Sequence, residues 1–235
     1  MKRIALMALF IASFALADGI PDEVSFFWGG RLSVLLGGAW NDEPVKGVFS
    51  VSNSKIEESE LFKSSDMGLE FGALGWYRLN RVFGFEVEAN LRWTGITLEN
   101  AVYNRKLDSS LDEMYDASLM VWSFDLPLVL RVTPSPDYYF ESGAQFNVNL
   151  AGSISDIDKS YEFDVEQLGW SLVFGTGFLS YNPQNSLLWS AGIRLVIDMT
   201  RIEKDGIVEI QEGAAYREAS PLRLWNFQFN LAIYL

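Results

Sequence analysis

The sequence predicts an all-β fold, a transmembrane antiparallel up-and-down β-barrel of eight strands, and three observations carry that expectation. The first is strict two-residue alternation. From Phe85 to Trp93 the apolar Phe85, Val87, Ala89, Leu91 and Trp93 share one phase, while Glu86, Glu88, Asn90 and Arg92 share the other. Alternation of this kind sets one face of a strand against an apolar medium and the other where full charges are tolerated. The second observation is connection length, which alternates short and long along the chain, and the third is the height at which tryptophan falls. A soluble barrel of the lipocalin kind accounts for the first observation but gives no reason for the other two.

The chain opens with Lys2 and Arg3 ahead of an apolar run from Ile4 to Leu16, and Ala15-Leu16-Ala17 supplies a small-x-small cleavage pattern. This is the form of a secretory signal peptide over residues 1–17, leaving a barrel domain over 18–235 that begins at Asp18. The run is shorter than the roughly 20 apolar residues a spanning helix needs. Any insertion into a bilayer therefore falls to strands.

Eight period-2 segments follow, near residues 28–40, 67–78, 82–94, 117–132, 138–152, 166–181, 187–200 and 222–235. The links after the second, fourth and sixth are short and carry Asn80, Pro134, Pro136, Asp137, Asn182 and Pro183, residue types that set tight turns. The other four links are long, and short turns at one end with long loops at the other are the pattern of an outer-membrane barrel. A ten-stranded count remains open if Val45 to Val51 adds a hairpin. The long links, residues 41–66, 96–116, 153–166 and 199–220, hold 21 acidic and 9 basic side chains, so the acidity belongs to one end of the molecule.

Trp40, Trp93, Trp122, Trp170 and Trp225 sit at the long-loop ends of their strands, on the apolar phase, while Tyr77, Tyr138, Tyr139, Tyr181 and Tyr234 gather at the short-turn end. Two aromatic belts bordering an apolar band are the expected membrane-interface anchors, with Trp40, Tyr77, Trp93, Trp122, Tyr138, Trp170 and Trp225 as the candidates. The apolar rows, such as Phe124, Leu126, Leu128 and Leu130 or Phe227, Phe229, Leu231 and Ile233, carry no charge. The opposite phase places Glu70, Glu86, Glu88, Arg92, Asp125, Arg131, Glu141, Arg194 and Asp198 in the lumen, where they are expected to pair as a charge network. Glu86 and Glu88, two apart on one row, read as partners for Arg92 and neighbouring arginines rather than as a catalytic carboxylate pair.

Ser123 to Val132, SFDLPLVLRV, with its short turn and the following YYFESGAQFNVNLAG from Tyr138 to Gly152, resembles the PorT-like outer-membrane β-barrel domain family. Asp125, Pro127, Glu141 and Gly143 stand at the matching positions, and LGWSLVFGTGFLSYN from Leu168 resembles the family's next hairpin. The resemblance covers roughly residues 27–235, and it implies a small outer-membrane barrel. Two departures stand out: Pro127 in a central strand, where a bulge is expected, and a terminal Leu235 where such barrels usually end on an aromatic.

Composition narrows function. The chain has no Cys and no His, which removes disulfides, Ser-His and Cys-His catalysis and the commonest metal ligand. With 31 acidic against 18 basic residues it offers no surface for nucleic acid. No catalytic residue, no cofactor and no metal site is expected. The sequence points to a non-enzymatic integral protein of a Gram-negative-type outer membrane, a structural or adhesive scaffold over a side-chain-filled lumen. A narrow outer-membrane channel or transporter component is the alternative. Expected partners are outer-membrane lipids and, during biogenesis, the barrel assembly machinery. Divalent cations or basic surface partners suit the acidic loops, unless these are simply solvated.

Overall fold

The computed structural model describes residues 26–41, 64–103, 114–155, 160–163, 165–182, 187–202, 207–208, 217–218 and 222–235. The signal-peptide residues 1–17, the Val45 to Val51 segment and most of the acidic links lie outside them. The elements in chain order are β1 (Phe26–Asn41), β2 (Ser64–Arg78), β3 (Phe83–Tyr103), β4 (Met114–Ser135), β5 (Tyr138–Ser155), β6 (Ser160–Phe163), β7 (Leu168–Asn182), β8 (Leu187–Asp198), β9 (Ile207–Val208), β10 (Arg217–Glu218) and β11 (Leu222–Tyr234).

Eight of these close a ring of antiparallel neighbours: β1, β2, β3, β4, β5, β7, β8 and β11, which returns to β1. The seam runs from Gly29 opposite Tyr234 to Asn41 opposite Leu222, and Leu235 N–H donates to the Trp28 carbonyl at 2.7 Å. Closure satisfies every wall strand on both sides and leaves no edge. The short β6 extends the line of β7 above the ring by pairing with β5 from Gly152 to Ser155, and β9 pairs with β10.

The short-turn end is set by local chemistry. Asn80 Oδ1 accepts from the N–H groups of Val82 and Phe83 at 2.9 and 2.8 Å, an Asx turn that reverses the chain between β2 and β3. At the other end β3 and β4 continue as a hairpin past Leu98, where the register shifts, to Tyr103 opposite Met114. The alternation in the sequence weakens after Trp93, so that extension was not legible.

Pro127 does not create a bulge. It pairs with Gln145 of β5 in an unbroken register, and the two shifts in that ladder lie away from it, between Trp122 and Ser123 and between Val132 and Ser135. On the β3 side the ladder runs from Val87–Leu128 to Asn90–Asp125 without the two pairs between, at constant register. A proline in a strand removes one N–H donor, and here the neighbouring ladder omits rungs instead of gaining a residue.

Two glycines face each other where β7 meets β8, Gly177 opposite Gly192. A Cβ on either would stand 2.6 or 2.4 Å from the Tyr139 hydroxyl. Their bareness makes room for a tyrosine inside the barrel. Gly192→Val is expected to displace Tyr139 and to cost about 1–3 kcal/mol as overpacking, read as a lower urea midpoint of the folded barrel in detergent, with a wild-type midpoint counting against this packing.

Candidate functional site: the barrel lumen

The two faces of the wall differ as sharply as the alternation requires. Outward stand Leu32, Leu69, Phe71, Val87, Leu126, Leu128, Phe146, Phe174, Phe227, Phe229 and Leu231, all exposed. Among the described residues, four arginines and six carboxylates stand inward and buried: Arg31, Arg92, Arg131 and Arg194, with Glu70, Glu86, Glu88, Asp125, Glu141 and Asp198. A soluble protein buries its apolar phase and hydrates its charges. The opposite order here requires an apolar solvent outside. The chain is a transmembrane β-barrel.

Searches with the sequence matched no family model and no curated protein. Among solved structures the chain is similar to Ail, the attachment invasion locus protein of Yersinia pestis, in complex with the heparin analogue sucrose octasulfate, at 11% identity and a TM-score of 0.39 over 90% of this chain and 100% of that one. It is also similar to Neisserial surface protein A, at 13% identity and 0.42 over 89% and 97%. The translocator domain of the autotransporter NalP from Neisseria meningitidis aligns at 10% identity and 0.30 over 98% and 95%.

From the short-turn end upward the lumen is filled in layers. The floor is apolar and aromatic: Phe27, Leu74, Trp76, Tyr139, Leu179, Leu188, Ala232 and Tyr234 form one cluster. Tyr139 and Tyr234, expected in the interfacial belt with Tyr138 and Tyr77, are 1% and 0% exposed and belong to this floor. Phase explains the correction. Adjacent residues of a strand face opposite ways, so Tyr138 outside puts Tyr139 inside, and Tyr234 shares its phase with Asn226, Gln228 and Asn230.

Above the floor lies the charge network. Arg131 sits 4.2 Å from the Tyr139 ring centre and 5.3 Å from that of Trp76. It donates to Glu86 at 2.8 Å, to Glu141 at 3.0 Å and to the Tyr234 hydroxyl at 2.6 Å. Tyr234 in turn donates to Glu86 at 3.0 Å. Arg194 reaches Glu141 at 2.7 Å and Glu88 at 2.8 Å. Arg31 spans Glu86 and Glu88 at 2.7 and 2.6 Å. Three guanidiniums thus meet three carboxylates with charge-assisted bonds, the geometry that offsets desolvation of buried ions.

Arg92 is not part of this group. It pairs with Asp125 at 2.9 Å and donates to Ser123 at 3.0 Å. Residues four apart on a strand are separated by about 13 Å, so Glu88 is served by arginines from across the lumen rather than by Arg92 on its own row. Above, Gln145 donates to Asp125 and Asn147 at 3.0 and 2.8 Å, Asn147 donates to Ser171, and Ser171 donates to Asp198. Glu70 accepts from Asn90 at 3.1 Å and Gln228 at 3.2 Å. Toward the loop end, Leu35, Ile96, Leu119, Val121 and Leu224 are buried with Val165 and Ile202, and a cavity of about 10 Å³ lies beneath them beside Arg92, Asn147 and Asp198. That volume holds one water at most.

Of the belt candidates, Tyr77, Trp122, Tyr138 and Trp170 are exposed and Trp93 and Trp225 half-buried, with Trp93 opposite Trp122 across the β3–β4 ladder. Trp40 closes β1, and its side chain lies outside the described set. At the turn end Trp28 and Trp189 are also exposed, so tryptophan borders both edges. Arg31 and Trp76 were missed in the sequence. Arg31 shares the inward phase of Phe27, Ser33 and Leu35, and its charge in an otherwise apolar strand was the available signal; Trp76 shares the phase of Glu70 and carried none.

Proposed function

We propose that this chain is an integral outer-membrane protein of the PorT-like kind, a non-enzymatic structural or adhesive scaffold whose acidic loops meet the exterior and whose lumen does not conduct. The observation that carries this reading is the continuous filling of an eight-stranded ring: an aromatic floor, a neutral arginine–carboxylate layer and a polar layer. Eight strands enclose an interior just wide enough for side chains. Lipids of the outer membrane surround the wall, and the barrel assembly machinery inserts it. Four long links leave one end of the ring with twelve net negative charges. That sign suits divalent cations or basic surface partners, and is opposite to the charge that would receive a sulfated sugar such as the one in the Ail complex.

The experiment is fractionation of native cells with surface proteolysis. The protein is expected in the outer-membrane fraction, beginning at Asp18 by mass spectrometry, and protease added to intact cells is expected to cut within the loops while sparing the strands. A water-soluble product retaining Met1 would contradict the placement.

A further inference from the structure

Two stretches of link reach back into the mouth of the ring. Val165 to Gln167 precede β7 and Met199 to Ile202 follow β8, and Val165 and Ile202 are 7% and 5% exposed although neither lies in a wall strand. Glu166 N–H donates to the Ile202 carbonyl at 2.8 Å, which joins the two stretches into one strap. The strap is tied to the wall at two places. Asn149 of β5 donates from Nδ2 to the Glu166 carbonyl at 2.6 Å and from its backbone N–H to the Gln167 carbonyl at 2.9 Å. On the β7 side, Met199 N–H donates to the Trp170 carbonyl at 2.9 Å, and Thr200 Oγ1 accepts from Trp170 N–H at 3.1 Å.

The strap is not packed closely on what lies beneath it. The cavity of about 10 Å³ lies between them, with Thr200 and Ile202 of the strap on one side and Arg92, Thr94 and Asn147 of the wall on the other. Val121 and Leu224 of the apolar layer line the same cavity as Ile202. Below this cover the inward face turns polar at once. Thr94 Oγ1 and both amide atoms of Asn226, the inward residue next below Leu224 on β11, are buried without hydrogen-bond partners. Covering such groups is unfavourable, whereas covering apolar side chains is favourable. Closure of the mouth therefore balances opposed terms. The strap, tied by few bonds outside the wall ladders, is the element that can move without breaking the ring.

We propose that this strap is a lid latched by Asn149, and that its opening turns the loop-side half of the lumen into a blind polar cup that admits water and small polar solutes. Opening hydrates Thr94 and Asn226. The layer in which Arg31, Arg131 and Arg194 bond Glu86, Glu88 and Glu141 forms the bottom of the cup. The opened barrel remains closed to passage, so movement of the lid and absence of conductance are compatible.

The chain has no Cys, so single cysteines report access against no background. The test is the rate at which a small cationic thiosulfonate modifies them in the folded full-length barrel in detergent, with gel mobility before boiling as the check of folding. With the strap unchanged, Asn226→Cys is expected to react far more slowly than Arg105→Cys, which lies in a stretch the sequence reads as a loop. Adding Asn149→Ala is expected to speed Asn226→Cys about tenfold, the factor for losing one hydrogen bond of the latch. Ile202→Ser, which leaves the latch in place and thins the apolar cover, is expected to act in the same direction and carries the test if Asn149→Ala does not fold. Ser190→Cys, on the floor side of the ion-paired layer beside Tyr234, is expected to stay unreactive in every background. Asn226→Cys reacting as fast as Arg105→Cys under an unchanged strap, a rate unmoved by both strap substitutions, or modification of Ser190→Cys would each overturn the lid over a blind cup.

Discussion

Replacing Arg131 with Ala is expected to lower barrel stability by about 3–5 kcal/mol, the cost of breaking a buried ion-pair network by removing one member. Arg131 is bonded to Glu86, Glu141 and Tyr234 and lies against the Tyr139 and Trp76 rings. Its removal leaves Glu86 with Arg31 and Glu141 with Arg194, makes the layer one positive charge short and opens space between the floor and the ion-paired layer. Urea unfolding in detergent, followed by tryptophan fluorescence and by gel mobility without boiling, measures the loss. The double variant Arg131→Ala with Glu86→Gln is expected to recover part of it, since the second change restores the charge balance of the layer. The same substitution at Arg105, outside the described residues and in a stretch the sequence reads as a loop, is expected to change stability by less than about 0.5 kcal/mol.

The second large effect lies on the outer face. Phe71 is 54% exposed and stands between Leu32 and Leu91 across its two ladders. In water an arginine there would be nearly neutral, whereas at mid-depth in a bilayer it costs about 2–4 kcal/mol. Phe71→Arg is therefore expected to impair folding into lipid vesicles by that amount, and a loss near zero would mean that this face meets water.

The strands were legible because both media enforce the same period: lipid removes charge from one phase and the packed lumen admits it on the other. The rows Phe227 to Leu231 and Glu86 to Arg92 state this directly. What the sequence could not give was which inward residues meet. Arg194 and Glu88 are 106 positions apart, and their contact at 2.8 Å depends on how the ring closes and staggers. Pairing Glu88 with Arg92 failed for that reason, since row neighbours are nearer in sequence than in space. Tyr139 and Tyr234 face inward because strand phase, not residue type, decides the face, and Pro127 sits without a bulge because its ladder loses rungs instead of gaining a residue.

Planar-bilayer recording of the purified, unmodified protein tests the filled lumen most directly. With Arg31, Arg131 and Arg194 bonded across the ring to Glu86, Glu88 and Glu141 above an aromatic floor, conductance is expected to be absent or limited to rare, small events. Large, stable currents that carry small solutes would contradict the filled lumen and make the protein a channel.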